Sequence, residues 1–187
     1  MALFPFLSCS SFIPKKMCNF ASMIAFLRKI YVDYLVAIGK AIDIWSTKPY
    51  PANVLSNLHP NAFEIDGIEC ASMEGFLQSL KQKDIQEQCE ICRLSGLEAK
   101  ERSTTEWQST QYVYWQGHVI HRQSPVFQNL ILKAYKLLFQ QNEAFRDALL
   151  STKGKRLYHL HGVSDSQKTI LTEHEFVTCL MTVRDTK

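Results

Sequence analysis

The sequence lacks any apolar run long enough to cross a membrane, so it predicts no transmembrane helix. Internal repeats and low-complexity segments are absent as well. The opening stretch, "MALFPFLSCSSFIPKK", has no basic residue before its apolar part and is interrupted by prolines, so it fits a signal peptide poorly. Because Met17 and Met23 lie close by, an over-extended start or a short leader is an equal alternative to a targeting segment.

The chain also lacks a strong excess of charge of either sign, with a formal net charge of +3. Residues 1–40 contain five lysines and arginines and only one acidic residue, Asp33, whereas the remainder is close to neutral. A near-neutral body is not typical of a protein that binds long nucleic acids through their phosphates. It is compatible with a protein that acts on one base or one small nucleotide. The basic N-terminal segment could dock on a membrane surface or on a partner.

Motifs for metal and redox chemistry are scarce. Cys89-x-x-Cys92 has no second CxxC and lies in a helical pattern, where both cysteines share a face, so it predicts a buried pair rather than a zinc site. His159 and His161 alternate in "LYHLHG", but a single HxH is weak evidence for a metal, and a pocket or surface role is the better interpretation. Glycine-rich phosphate loops, nucleophile elbows and HExxH motifs are absent. We therefore predict no metal site and no cofactor.

The composition is that of a globular protein, with 46% hydrophobic and 21% charged residues. The chain is too long to need disulfides, so we expect its six cysteines to be reduced and the protein to be cytoplasmic. We predict an N-terminal extension over residues 1–40, helical and basic, and one domain over residues 41–187.

The predicted fold class is α+β: a predominantly helical single domain with two small β-hairpins. The hairpins are "FEIDGIEC" and "YVYWQGHVIH", each with a turn that ends in glycine. Three helix starts are marked by capping residues: Ser72, Ser124 followed by Pro125, and Thr172 with Glu175 three residues later.

The segment "SMEGFLQSLK" carries the most informative polar pattern. At 100° per residue, Glu74, Gln78 and Lys81 fall on one side of the predicted helix, and the apolar residues fall on the other. A solvated helix face is one interpretation, since Glu74 at the second helical position also complements the helix dipole. A row of site residues is the other. Gly75 in the first turn is a poor helix former, which suggests a close backbone approach there.

Several short motifs in order resemble the NADAR, or YbiA-like, family and in particular its phage-type branch. "LSN" at 55–57, the "DG" turn at 66–67 and Glu74, Gln78 and Lys81 match the family's first three motifs, and "YWQGHVIH" and "LYHLHGVSD" resemble later ones. The resemblance runs from about Ile42 to Arg184. Two features depart from the family pattern: Gly75 stands where a histidine usually follows the glutamate, and the bacterial WG and GNxLG signatures near the C-terminus are absent.

The resemblance implies a hydrolase that cleaves an N-glycosidic bond between a base or amine and ribose, in a riboflavin-pathway intermediate or an ADP-ribosylated base. Cleavage of this kind builds positive charge at the anomeric carbon, which a carboxylate stabilises. Glu74 is then the expected catalytic residue. The expected substrate-binding residues are Ser56, Asn57, Gln78, Lys81, Trp115 and His159. The alternative is a module that binds ADP-ribose or a nucleotide without cleaving it.

The two hypotheses share one expectation about architecture. Leu55 to Asn57, Glu74 and the "LYHLHG" segment should border one cleft, because the resemblance and the local patterns place all three at the ends of elements.

Overall fold

The structure, a computed structural model, describes residues 20–186, so the first nineteen residues with Cys9 and Cys18 lie outside the described part. The predicted fold class is confirmed: the described chain is a mixed, predominantly helical domain with small two-stranded sheets. In chain order its elements are α1 (Phe20–Ala37), β1 (Ala41–Asp43), β2 (Phe63–Ile65), β3 (Ile68–Cys70), α2 (Met73–Ser79), α3 (Ile85–Cys92), α4 (Gly96–Glu101), α5 (Glu106–Thr110), β4 (Tyr112–Trp115), β5 (His118–His121), α6 (Pro125–Gln141), α7 (Glu143–Leu150), β6 (Arg156–Tyr158) and α8 (Glu173–Asp185).

Both predicted hairpins form as antiparallel pairs, β2 with β3 and β4 with β5. In the first turn Asp66 and Gly67 have φ of 53° and 79°, and in the second Gln116 and Gly117 have φ of 46° and 81°. Positive φ at both central residues gives the turn the twist that the flanking strands need, and glycine adopts it without steric cost. Two-residue turns therefore fix both registers.

A third strand pair was not predicted. Strand β1 pairs in parallel with β6, with Ile42 opposite Leu157, and so joins the beginning of the domain to its last quarter. Two further contacts hold the segment after β6 against the segment after β1. The buried carboxylate of Asp43 accepts a hydrogen bond from the backbone N–H of Leu160 at 3.0 Å. The ring of His159 donates from Nδ1 to the carbonyl oxygen of Ile44 at 2.9 Å.

The predicted helix caps are confirmed. The hydroxyl of Ser72 accepts a hydrogen bond from the N–H of Gly75, and that of Ser124 accepts one from the N–H of Phe127. Thr172 and Glu175 form a complete capping box at the start of α8. One apolar core joins these helices to the hairpins, and α6 contributes one apolar face to that core. The buried residues of α6 are Phe127, Ile131, Ala134, Tyr135 and Leu138.

Helix α1, Phe20–Ala37, falls within the N-terminal extension predicted over residues 1–40. It packs on the domain through Val32 and Leu35, which are buried. Arg28 of α1 also forms an ion pair with Glu173 at 2.7 Å, at the first turn of α8. The division of the chain into residues 1–40 and 41–187 stays a prediction.

A fully buried guanidinium, that of Arg122, ties several segments together after β5. Its NH1 and NH2 nitrogens donate to the two carboxylate oxygens of Glu175 at 3.0 and 2.6 Å, and its Nε donates to the carbonyl oxygen of Thr169 at 3.4 Å. Gln128 of α6 donates to the same carboxylate at 2.6 Å. Burial raises the pKa of Glu175, but these hydrogen bonds and that of the Thr172 N–H outweigh burial and lower the pKa to about 2.

Glu175→Gln should therefore lower the free energy of unfolding at pH 7 by on the order of 3 kcal/mol, because Arg122 would keep its buried charge without a counterion. The folded-state pKa of Glu175 lies below its ordinary value of 4.5, so this stabilisation is fully present above pH 4.5 and disappears as the pH falls through about 2. Denaturant unfolding of wild type and variant between pH 7 and pH 2 measures the difference.

The matched control is Glu90→Gln, which removes an exposed carboxylate from α3 and should change stability by less than about 0.5 kcal/mol. A difference between wild type and Glu175→Gln that stays constant over the acid range would contradict the assigned ion pair.

Candidate active site

A cavity of about 400 Å³ lies between α2, the loop that follows β1, the α4–α5 connection and the segment between β6 and α8. Six of the seven residues predicted for the site line it: Ser56, Asn57, Glu74, Gln78, Lys81 and His159. The residues that line it without having been predicted include Trp45, Lys100, Ser103, Thr104, His161, Gly162, Lys168 and Phe176. Leu55 is buried in the core, but its neighbours Ser56 and Asn57 reach the cavity together with the "LYHLHG" segment.

Helix α2 reaches the cavity through the interior of the domain, since every residue of it except Glu74 is buried. The backbone N–H of Glu74 donates to the carbonyl oxygen of Asn57 at 2.9 Å, which joins the loop to the first turn of the helix. The side-chain oxygen of Asn57 accepts from the hydroxyl of Tyr135 at 2.7 Å. Burial raises the pKa of the Tyr135 phenol well above its usual value, so this phenol remains a donor.

The row Glu74, Gln78 and Lys81 faces this cavity. Gln78 is only 5% exposed, and its Nε2 donates to Oε1 of Glu74 at 2.8 Å. The carbonyl oxygen of the same amide is buried and has no hydrogen-bond partner within residues 20–186. Buried polar atoms are rarely left unpaired, because the loss of water costs about 1–3 kcal/mol. The structure therefore leaves one acceptor of a cavity-lining residue, Gln78, without a partner among the described residues.

Lys81 occupies the end of this row. Its ammonium group donates to the hydroxyl of Ser103 at 2.7 Å and lies 5.8 Å from the centroid of the Trp107 ring. Burial lowers the pKa of Lys81 to about 8; Glu74 opposes this shift and Lys100 adds to it. Lys100 and Lys168 also line the cavity, while Glu74 is its only carboxylate within the described residues. The excess of cations suits an anionic ligand.

Aromatic side chains form another part of the cavity lining. The ring centroids of Trp45 and His161 are 4.3 Å apart, and those of His159 and Phe176 are 5.2 Å apart. Because His159 donates from Nδ1 to a backbone carbonyl, its Nε2 is left as the nitrogen that can meet a ligand. Gly162 permits this packing, since a Cβ atom there would lie 2.7 Å from the ring of His159. No motif in the sequence marked Trp45, which lies two residues after the end of strand β1.

Trp115, predicted to bind substrate, does not line the cavity. Its ring packs edge-on against Phe76 at 5.1 Å in the core, and its Nε1 donates to the carboxylate of Asp66 at 3.0 Å. Lys133 pairs with the same carboxylate, and both contacts lower the pKa of Asp66. Trp115 therefore braces the first hairpin turn. The resemblance placed it in the site, but strand alternation turns its side chain inward.

The described residues contain no cluster of three or more histidine, cysteine or acidic side chains that could hold a metal ion. The four described cysteines, Cys70, Cys89, Cys92 and Cys179, are free. Within residues 20–186, no helix is both long and apolar enough to span a membrane.

Comparisons with known proteins agree with this architecture. A family model described as bacteriophage protein GP30.3 matches residues 49–185. A 17.1 kDa protein from the Gp30–rIII intergenic region of enterobacteria phage T4 is 39% identical over 147 residues, which cover 77% of this chain and 97% of that protein. The NMR structure of YbiA from E. coli superimposes with a TM-score of 0.53 and 19% identity, over 78% of this chain and 83% of that one. The fold is therefore YbiA-like.

The close approach predicted at Gly75 is present, because a Cβ atom there would lie 2.5 Å from the carbonyl oxygen of Leu94 and 2.9 Å from those of Ile91 and Cys92. Alanine inside a helix normally stabilises a protein by about 0.5–1 kcal/mol relative to glycine. Gly75→Ala should instead destabilise this protein by about 2 kcal/mol or more, because α2 must move away from the end of α3. Denaturant unfolding of wild type and variant measures the change in the free energy of unfolding. A more stable variant would contradict the close packing at Gly75.

Proposed function

The chain belongs to the bacteriophage protein GP30.3 family, and from this premise and the cavity we propose that it is an N-glycoside hydrolase for a phosphorylated ribosyl substrate. The observation that carries the proposal is the row Glu74, Gln78 and Lys81, which places a carboxylate, an amide with an unpaired oxygen and a cation along one cavity. Structural packing alone does not explain this row, since an apolar helix would fill the same space at lower cost.

Glu74 is the proposed catalytic residue. The bond between the anomeric carbon and the base nitrogen breaks, its electron pair leaves with the base, and the sugar acquires oxocarbenium character. The carboxylate, at the second position of α2 where the helix dipole favours an anion, stabilises this charge and accepts the proton of the attacking water. The departing nitrogen takes its proton from solvent. Gln78 positions the carboxylate by holding Oε1, and Oε2 of Glu74 has no hydrogen-bond partner in the described part of the chain.

Three features of the cavity suit a phosphorylated ribose that carries a base. Lys81, Lys100 and Lys168 offer positive charge to a phosphate group. The free amide oxygen of Gln78 can accept a hydrogen bond from a ribose hydroxyl. The aromatic wall around Trp45 and His161 can stack on the base. A riboflavin-pathway ribosylamino-pyrimidine phosphate and an ADP-ribosylated base both fit this description.

A second candidate function is binding of ADP-ribose or a nucleotide without cleavage. Gly75 favours it, because the carbonyl oxygens around this residue leave no room for the histidine that usually follows the glutamate in YbiA-like proteins. One experiment distinguishes the two functions. The hydrolase releases free base from the ligand, whereas the binding module holds the ligand intact and in stoichiometric amount.

Glu74→Gln should reduce release of free base by about 100-fold or more while ligand affinity changes little, since the amide keeps the shape of the side chain but cannot carry the charge. Chromatographic detection of the base released from ribosylamino-pyrimidine phosphates and from ADP-ribosylated guanine nucleotides measures the rate. Calorimetric titration of the product sugar phosphate measures affinity.

The matched control is Glu69→Gln, which removes an exposed carboxylate from strand β3 and should leave the rate unchanged. Undiminished base release in Glu74→Gln would remove Glu74 from the mechanism. Tight binding with no base released by the wild type would favour the binding module.

The proposed role of Lys81 makes the affinity of the site for a phosphate depend on pH in the alkaline range. Because its pKa is lowered to about 8 from the ordinary 10.5, its positive charge is present below pH 8 and is lost as the pH rises through that value. The affinity for ribose 5-phosphate, whose phosphate is fully ionised above pH 7, should therefore fall as the pH rises through about 8. Calorimetric titration at a series of pH values measures it.

Two variants test this assignment. Lys81→Arg should keep its affinity to higher pH, because a guanidinium stays protonated, and Lys81→Met should bind weakly with little pH dependence. A wild type whose affinity is constant between about pH 7 and 10 would show that Lys81 does not contact the phosphate.

A further inference from the structure

In the part of the chain that the structure describes, most of the apolar surface of helix α1 is exposed. More than half of the exposed large apolar side chains within residues 20–186 belong to this helix and the residue just after it, each 40–72% exposed. We define them together as the outer face of α1: Phe20, Met23, Ile24, Phe26, Leu27, Ile30, Tyr31, Tyr34 and Ile38. None of them lines the cavity, and all precede the residues that match the family model.

The outer face is continuous along the helix. At 100° per residue its members span an arc of about 160°, and no charged residue of α1 falls within that arc. The arc that packs on the domain, around Val32 and Leu35, is narrower. A helix that is apolar on nearly all sides is normally covered on nearly all sides. Within residues 20–186, nothing covers the outer face in the way that a helix of this composition is normally covered.

We propose that this cover is the outer face of a second copy of the chain, in a symmetric dimer with α1 packed against α1. Four aromatic and five aliphatic side chains, about half exposed, present on the order of 800 Å² of apolar surface. That area exceeds the largest patch of a typical monomer and equals one partner's share of a standard interface. A straight apolar stripe about 27 Å long is self-complementary across a two-fold axis.

The charges of α1 favour a second copy over a membrane surface. Interfacial helices carry free lysines and arginines beside the apolar face, where they meet anionic headgroups. In α1, Arg28 already pairs with Glu173 at 2.7 Å, and Lys29 already pairs with Asp33 at 2.5 Å. The two basic side chains of the helix are thus committed to carboxylates of the same chain.

Sedimentation velocity of the full chain between about 1 and 100 µM tests the proposal. The wild type should reach twice its chain mass of 21.5 kDa within this range. The double variant Leu27→Glu with Tyr34→Glu puts two charges at the centre of the outer face and should raise the dimer Kd by at least about 100-fold. The matched control, Ser22→Glu with Lys29→Gln, makes the same change in charge on the polar side and should leave Kd within about threefold.

Hydrogen exchange of the wild type adds a readout that does not depend on any variant. The amides of α1 should exchange more slowly at about 100 µM than at about 1 µM, because dimer formation covers the helix. A wild type that stays monomeric over the whole range, or a double variant that dimerises like the wild type, overturns the proposal. So does a monomer that floats with vesicles of phosphatidylcholine and phosphatidylglycerol, since the outer face would then bind lipid.

Discussion

The buried guanidinium of Arg122 is the constraint on which the arrangement of the domain depends. A buried cation must be neutralised, and the carboxylate of Glu175 does this from the first turn of α8. The carbonyl oxygen of Thr169 and the amide of Gln128 complete the set of hydrogen bonds. The end of β5, the segment before α8, α6 and α8 are therefore held in one geometry. Because Thr169 and Thr172 also line the cavity, the same ion pair fixes one wall of the proposed site.

The part of the cavity lining that α2 provides depends on a different constraint, which is the short distance between the backbones of α2 and of the end of α3. Helix α2 lies so near the end of α3 that only glycine fits at position 75. Because of this approach, α2 is buried on both its apolar and its polar side, although its sequence pattern is that of an amphipathic surface helix. The polar row then faces a cavity instead of bulk water. The unpaired amide oxygen of Gln78 supports the proposed binding site, because buried polar atoms without a partner are rare in packing interfaces.

Helix α1 stands apart from this organisation. It contacts the domain through two buried side chains, an ion pair and a hydrogen bond from Arg156 to Tyr31, and none of its described residues lines the cavity. The family model begins after it, at residue 49. The assembly proposed for α1 and the chemistry proposed for the cavity therefore belong to separate surfaces.

The sequence alone determined the local elements of the domain. The hairpin turns at Asp66–Gly67 and Gln116–Gly117 and the cap at Ser72 depend on dihedral angles and hydrogen bonds within a few residues, so their signals are local. It also indicated a polar row at Glu74, Gln78 and Lys81, because helical periodicity is a property of the chain itself.

Only the tertiary structure decided which of these residues share a cavity. The parallel pairing of β1 with β6 joins segments more than a hundred residues apart, and three-residue strands carry too little pattern to reveal a distant partner. That pairing brings His159 to the cavity lined by Glu74, together with Trp45, which no motif had marked. It also left Trp115 in the core, since the inward side of a strand is defined by what packs against it. Contacts between distant segments are set by packing of the whole chain, and no local pattern contains them.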